Sequence, residues 1–471
     1  MFVYLELIIR LINLILIGFL IFKKRKDPPL LMSWILVLVF IPIVGLILYL
    51  LFERTPAVSK SLNYIDTIEQ DVSTIGCKST QPEHIQSLIS YNINYNHSPL
   101  TGKNKIQLYS DGRSKYDQLF QDLQEAKESI HFLYFIIRKD EIGQQFVQLL
   151  AEKASEGLEV RVVYDGAGCF GTSPHFFDLI KQAGGKVYDF HPAKLKLIGL
   201  NYNYRNHRKI VVIDGKIAYM GGMNVGKEYM SLDPKYAPWR DAHLRLEGES
   251  VRFLQLRFLR DYFMVCTDEE EQNEIKTSFM KYFPAPILSD ECEVQIVADG
   301  PDTPTDDIKA AMVKMIQIAT KSIRIQTPYF IPDTIFLEAL KMAAYSGVNV
   351  QLMIPTIADH HYVYRTTTSF ISELRAAGVE VYLYKGFLHS KVIIVDQKVC
   401  TVGSTNIDQR SFKINYEINA FIYQESFSTH LFDQFNRDLE NCMIADEMYE
   451  NSKSLFVKLE ESFYRIISMI L

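Results

Sequence analysis

At 471 residues the chain is too long for one ordinary core and implies two or three domains. Its 48% apolar and 23% charged content excludes a disordered chain, and a formal net charge of -6 argues against a sequence-independent nucleic-acid binder, which depends on excess Lys and Arg. The six cysteines stand singly, without C-x-x-C spacing, and read as buried or free thiols with no metal role.

The chain begins with two apolar runs. Phe2 to Phe22 is interrupted only by Glu6, Arg10 and Asn13, and Leu30 to Phe52 only by Ser33 and Tyr49. Roughly 20 apolar residues cross a hydrocarbon core of about 30 Å, so residues 1–53 are predicted to form two transmembrane helices. A cleaved signal peptide would carry its basic residues ahead of the apolar run, whereas Lys23, Lys24, Arg25 and Lys26 follow it. This basic loop is expected in the cytoplasm, which puts the residues after Phe52 on the outer face of a multi-pass cell-membrane protein. Pro28 and Pro29 separate the runs, and Glu6 and Arg10, one helical turn apart, can pair.

Residues 54–104 read as a linker with one short helix from Glu83 to Tyr91. From Lys105 strands and helices alternate, the mark of an α/β layer architecture. The strand Lys105 to Tyr109 leads through Asp111-Gly112 into a helix with Tyr116, Leu119, Phe120, Leu123 and Ala126 on one face. The strand Ser129 to Ile137, a helix from Gly143 and the strand Leu158 to Tyr164 follow. The pattern then recurs about 190 residues later, from Glu293 to Val297 through Asp299-Gly300 to a helix carrying Ile308, Met312, Met315, Ile316 and Ala319. Tyr329-Phe330 echoes Tyr134-Phe135, and Ser346 to Val350 echoes Glu156 to Val160. The expected organisation is two similar lobes, 105–285 and 286–471, packed as a pseudo-dimer about a twofold axis.

The strongest signal falls at matching places in the two copies. The first reads His207-Arg208-Lys209 with Asp214, Gly221, Gly222 and Asn224 downstream; the second reads His389-Ser390-Lys391 with Asp396, Gly403, Ser404 and Asn406. Each is H-x-K-x4-D, with Gly and Asn 14 and 17 residues after the His. Residues two apart on a strand share a face, so each His projects beside its Lys, with the apolar runs Ile210 to Ile213 and Val392 to Val395 buried behind. Lobes meeting on a twofold axis bring two imidazoles and two ammonium groups to one point, a site suited to a phosphodiester anion.

With these residues in view, the chain resembles the phospholipase D superfamily, whose signature is the paired motif, over nearly all of residues 105 to 445. It is most similar to bacterial cardiolipin synthases, which also place two short membrane segments before two lobes. Asn203-Tyr204-Arg205-Asn206-His207-Arg208-Lys209, Trp239-Arg240-Asp241-Ala242-His243, Gly403-Ser404-Thr405-Asn406, Asp408, Arg410-Ser411, Asn415 and Glu417 carry that similarity. The resemblance implies α/β/α lobes of the phospholipase D type and a two-step displacement through a phosphohistidine. His207 is then the nucleophile and His389 the acid and base. Lys209 and Lys391 hold the non-bridging oxygens, with Asn224 and Asn406 as added donors. Asp241 and Glu417 orient the imidazoles, while Asp214 and Asp396 complete the two catalytic motifs and brace the strand ends. The substrate implied is phosphatidylglycerol in a membrane, giving cardiolipin and glycerol, with no metal, no nucleotide cofactor and no nucleic-acid partner. A hydrolase or a transferase to another alcohol shares the same residues; a membrane nuclease or a silent lipid-binding scaffold fits them less well.

Two further segments either meet lipid or serve plainer roles, the first as a surface loop and the second as a helix docked on the second lobe. One is the insert between Asp189 and Asn206, with Lys194 to Ile198, Tyr202 and Tyr204. The other is a C-terminal amphipathic helix carrying Leu455, Leu459, Phe463, Ile466, Ile467 and Ile470.

Overall fold

The computed structural model describes residues 2–23, 28–52, 76–190, 203–287, 292–303, 305–357 and 359–468. Most of the insert (191–202) and the first part of the linker (53–75) lie outside these residues, as do most of the basic cluster and the last three residues.

The N-terminal apolar segment belongs to a compact unit separate from the one that holds the two sheets. Its first helix, Phe2–Lys23, carries the expected Glu6–Arg10 pair at 2.8 Å. The second apolar run does not form one helix. It breaks at Ile41 into Pro28–Phe40 and Pro42–Phe52. Pro42 has no N–H to offer the carbonyl of Leu38. The Asn13 amide replaces it, donating to the Leu38 oxygen at 2.9 Å and the Pro42 oxygen at 3.0 Å. Past the break the chain doubles back, so that Trp34 and Tyr49 meet edge to face with centroids 5.4 Å apart. Gly45 permits this approach, since a Cβ there would lie 2.6 Å from the Val37 carbonyl oxygen. Helices of 13 and 11 residues reach only about 20 and 17 Å at 1.5 Å per residue. Among the described residues no helix is long and apolar enough to cross a membrane, so these elements do not establish the two expected spans.

The remaining chain contains the two lobes. The first contributes β1 (Asn104–Tyr109), β2 (Ser129–Tyr134), β3 (Glu159–Asp165), β4 (Lys186–Phe190), β5 (Ile210–Ile213), β6 (Ile217–Gly221), β7 (Trp239–Arg240) and β8 (His243–Gly248). The second contributes β9 (Val294–Asp299), β10 (Ser322–Gln326), β11 (Phe330–Ile331), β12 (Asn349–Pro355), β13 (Glu380–Tyr384), β14 (Phe387–Leu388), β15 (Val392–Val395), β16 (Val399–Gly403), β17 (Ile407–Asp408), β18 (Glu417–Ile422) and β19 (Cys442–Ile444). The sheet orders are β1-β8-β6-β5-β2-β3-β4 and β9-β18-β16-β15-β10-β12-β13-β19. They correspond strand for strand, β19 being an extra edge. In each, β2-β3-β4 or β10-β12-β13 pair in parallel and the strands before them antiparallel. Two similar α/β lobes are therefore present, as the repeat predicts.

The register of the repeat differs from the sequence reading at one place. Ile130 faces Ile213 and Ile323 faces Val395, so Tyr134 corresponds to Thr327. Ile137, bridged to Val225, corresponds to Phe330, paired with Ile407. The aromatic echo of Tyr134-Phe135 in Tyr329-Phe330 is thus two residues out of register, because backbone pairing rather than ring identity aligns the strands.

The helix in the linker runs from Glu83 to Asn94 and buries Ile85, Leu88 and Ile89 in the core of the second lobe. Asn92 there donates to Gln295 Oε1 at 3.2 Å and to the Tyr423 hydroxyl at 3.1 Å. Thr101 bridges to Val294 just before β1 begins. The chain therefore clads its second lobe before it builds its first.

Candidate active site

Both His-x-Lys motifs sit immediately before a buried strand, β5 or β15, at the end facing the opposite lobe. The segment leading to His207 runs in parallel with the second-lobe segment leading to Glu417. His207 N donates to the Tyr416 carbonyl at 3.0 Å, and Tyr416 N to the Arg205 carbonyl at 2.8 Å. On the other side β14, leading to His389, pairs in parallel with β7, leading to Asp241, and His389 N donates to the Arg240 carbonyl at 2.7 Å. Each histidine is thereby aligned with a carboxylate from the other lobe. His207 Nδ1 lies 2.9 Å from Glu417 Oε1, and His389 Nδ1 lies 2.8 Å from Asp241 Oδ2. The carboxylates are sealed, with side-chain exposures of 0%, while each imidazole keeps 11%, so one ring edge remains open to a reactant.

The carboxylates are held in different ways. Ser404 donates its hydroxyl to Glu417, and Asn415 Nδ2 lies at 3.4 Å. In the first lobe the residue matching Ser404 is Gly222, where a Cβ would fall 2.1 Å from Asp241 Oδ1. Asp241 is bound instead by the Ala242 N–H at 2.8 Å and the Trp239 indole N–H at 3.3 Å. The ring environments differ as well. His389 is enclosed by Trp239, Phe387 and Tyr229, with centroids at 5.2, 5.9 and 6.4 Å, whereas Phe135 approaches His207 edge-on at 4.9 Å.

Burial dominates the electrostatics. It pushes the His207 imidazole down to about 4, opposed by the charge of Glu417, and it also lowers His389. Burial drives Lys209 down to about 7 and Lys391 to about 8. Burial pushes Glu417 and Asp241 upward, but the facing His and Lys charges overcome it and hold both below the usual carboxylate range. Lys391 depresses His207 and Lys209 depresses His389, so the basic groups of the two lobes act on one another. Lys209 and Lys391 both turn an Nζ donor onto the carbonyl of their own motif histidine, the latter at 2.6 Å. The site collects basic groups in a dry setting with two fixed anions behind them, an arrangement that favours an incoming anion.

The other expected residues are placed as follows. Asn224 accepts from the Ile136 N–H at 3.1 Å and donates to the Tyr229 hydroxyl at 2.9 Å, while the buried Asn406 Oδ1 has no hydrogen-bond partner among the described residues. Asp214 and Asp396 are not at the site. A strand rises about 3.3 Å per residue, which puts Asp214 about 23 Å along the chain from His207. There its carboxylate accepts from the N–H groups of Lys127, Glu128 and Ser129, and Asp396 does the same for Thr320, Lys321 and Ser322. Both sit in tight turns at positive φ (53° and 54°) and pin the first residue of β2 or β10. Their inclusion among catalytic residues is corrected by this placement, and their strand-bracing role accounts for the motif.

Sequence reasoning missed Arg208. It is fully buried, pairs with Asp261, and donates to the Glu417 carbonyl at 3.0 Å and the Asp299 carbonyl at 2.8 Å, stitching the lobes behind the site. A charged residue between two catalytic-type positions on a strand otherwise buried was the available signal. Asp165, pushed up to about 6 by burial, accepts from the Asn206 N–H at 3.0 Å and so fixes the approach to His207. Among the described residues no group of three or more His, Cys, Asp and Glu side chains is arranged to hold a metal ion.

Two lobes of this topology with paired His-Lys motifs define a phospholipase D-like enzyme. The family pattern described as "Cardiolipin synthase, PLD-like domain" matches residues 119–234 and 312–439, and "Phospholipase D-nuclease N-terminal" matches residues 11–54. The chain is 38% identical to a cardiolipin synthase of Listeria welshimeri, over 99% of both chains. It is 39% identical to the major cardiolipin synthase ClsA of Bacillus subtilis, over 98% of both. The fold is shared with a phosphatidylserine synthase of Haemophilus influenzae, at a TM-score of 0.62 and 16% identity, covering 82% of this chain and 100% of that one. The chain belongs to the phospholipase D-like cardiolipin synthase family, and it is an enzyme.

Proposed function

We propose that the enzyme transfers a phosphatidyl group from one phosphatidylglycerol to another, giving cardiolipin and glycerol. The observation that carries this reading is the crossed pairing of each motif histidine with a sealed carboxylate of the opposite lobe, in a chain alike over its full length to cardiolipin synthases. His207 Nε2 attacks phosphorus as the bond to the glycerol headgroup breaks, and His389 gives the departing alkoxide its proton. His389 then takes the proton from the terminal hydroxyl of a second phosphatidylglycerol, whose oxygen displaces His207 from phosphorus. Burial lowers both imidazoles, and the assignment of His207 as nucleophile follows the family's order of the two motifs. The aromatic enclosure of His389 suits the group that stays noncovalent and carries the proton. Glu417 and Asp241 fix Nδ1 of each ring and stabilise the imidazolium form. Lys209, Lys391, Asn224 and Asn406 face the non-bridging oxygens. No bond is formed that was not broken elsewhere, so the exchange needs no nucleotide. The N-terminal apolar runs support a membrane-attached enzyme with its catalytic part on the outer face.

The direct test supplies purified enzyme with phosphatidylglycerol vesicles and resolves the products. Cardiolipin and glycerol in equal amounts, absent with His207→Ala, are expected. Phosphatidic acid without cardiolipin would mean that water is the acceptor and would replace this reading with a hydrolase.

The buried lysines give a second expectation. A bound oxyanion favours their charged forms, raising Lys209 from about 7 and Lys391 from about 8, so binding takes up protons at pH 7–8. Calorimetric titration with tungstate, in buffers of different ionisation heat, should register uptake of about one proton. Release, or no exchange, would remove the lysines from the phosphate site.

A further inference from the structure

The C-terminal helix, Leu455–Ile467, is docked with its polar side inward. Glu461 accepts from Thr368 Oγ1 at 2.7 Å and pairs with Lys453 at 2.9 Å. Glu460 pairs with Arg365 at 3.1 Å and with His361 at 3.4 Å. Arg465 pairs with Glu373, donates to the Ser369 carbonyl at 3.0 Å, and lies 4.0 Å over the Phe370 ring. These contacts fix the rotation of the helix against the helix His361–Thr368. At about 100° per residue, Leu455, Phe456, Leu459, Phe463 and Ile466 then fall within one outward arc of about 100°. All five are between 59% and 78% exposed. A helix of a soluble core has the reverse arrangement.

We propose that this outward face docks onto the surface of an anionic bilayer, lying in the boundary between headgroups and acyl chains and holding the site against its lipid. The inference rests on the lipid-transferring function above and names the surface through which that function meets the membrane. Charge singles out this partner. Glu460 borders the arc on one side but is paired with Arg365 and His361, and Glu461 is buried and paired with Lys453, so the charge left exposed beside the arc is that of Lys458, a cation suited to lipid phosphates. Position supports it as well. The supporting helix begins two residues after Asp359, whose carboxylate accepts from the Tyr329 hydroxyl and whose charge raises Lys391 at the site. The apolar face is thus one helix removed from the reaction.

The test uses the full chain carrying Phe463→Trp, reconstituted in phosphatidylglycerol bilayers, with the parent protein's emission subtracted. The added indole should be blue-shifted, and brominated acyl chains should quench it about twofold or more, as expected for a ring held 5–10 Å into the interface. Emission at the position of a water-exposed indole would overturn the proposal. So would a blue-shifted but unquenched indole, which would mean that protein, a second copy or another part of the chain, covers the face. A companion variant, Leu459→Ser with Phe463→Ser and Ile466→Ser, should keep its turnover of short-chain, monomeric phosphatidylglycerol. On vesicles it should need about tenfold more lipid surface to reach half-maximal rate. Unchanged vesicle kinetics would sink the docking role. Failure of the parent enzyme to transfer to any phosphatidylglycerol would instead sink the function, a result the fluorescence does not share.

Discussion

His207→Ala and His389→Ala each remove essentially all transfer, by about four orders of magnitude or more, and the double variant is no slower than either single one. The reason lies in the crossing of the lobes. In the proposed mechanism, removing His207 takes away the acceptor of the phosphatidyl moiety, and Glu417 is left buried beside an apolar methyl. Without His389 the headgroup must leave as an unprotonated alkoxide, and Asp241 loses its partner. Neither lobe holds a complete set, so the effects cannot add. Turnover of radiolabelled phosphatidylglycerol, with thermal unfolding to show that the variants fold, decides the matter. Half the wild-type rate in either single variant would mean two independent half-sites and would refute the shared one.

Asp261→Ala carries the largest expected stability loss. Asp261 and Arg208 are 1% and 0% exposed, and removing the carboxylate leaves a buried guanidinium without its counter-charge, which costs about 3–5 kcal/mol. Asn206, which donates to the same carboxylate at 2.8 Å, loses that bond as well. The paired change Asp261→Leu with Arg208→Met should recover most of the loss, since apolar side chains of similar volume avoid the desolvation of both ions. It should not recover activity to the same degree, because Arg208 also holds the Glu417 and Asp299 carbonyls across the lobes. Urea midpoints for the single and double variants test both parts. Equal midpoints for wild type and Asp261→Ala would show that solvent reaches Arg208.

Much of this was legible in the sequence, for identifiable reasons. The lobes showed because period-two and period-3.6 patterns repeat, and both sheets follow the same strand order. The two His-Lys pairs showed because the same H-x-K spacing, with matched Gly and Asn downstream, occurs at matching places in the repeat, although both motifs sit just before the strand and not on it. What did not show depends on contacts distant in sequence. Glu417 and Asp241 were singled out, but their exchange between lobes comes from parallel pairing across 210 and 148 residues. Arg208 looked like a spacer because its partners, Asp261, Asp299 and Glu417, are scattered over two lobes. Asp214 and Asp396 shared a motif with the histidines and so looked catalytic, although a strand carries its two ends far apart. The second apolar run read as one span because its composition is uniform; the break at Ile41, where Pro42 lacks an N–H and the Asn13 amide meets the Leu38 carbonyl, depends on a contact that composition does not show.

The exchange of carboxylates also sets an order in time. During synthesis the ribosome delivers His207 and Asp241 long before His389, and Glu417 later still. A nascent first lobe holds a histidine with no acid to orient it and an acid with no histidine to serve. Competence therefore arrives in one step, when the last strands of the second sheet close against the first lobe. A chain truncated before Glu417 is therefore expected to be inactive even with both histidines present.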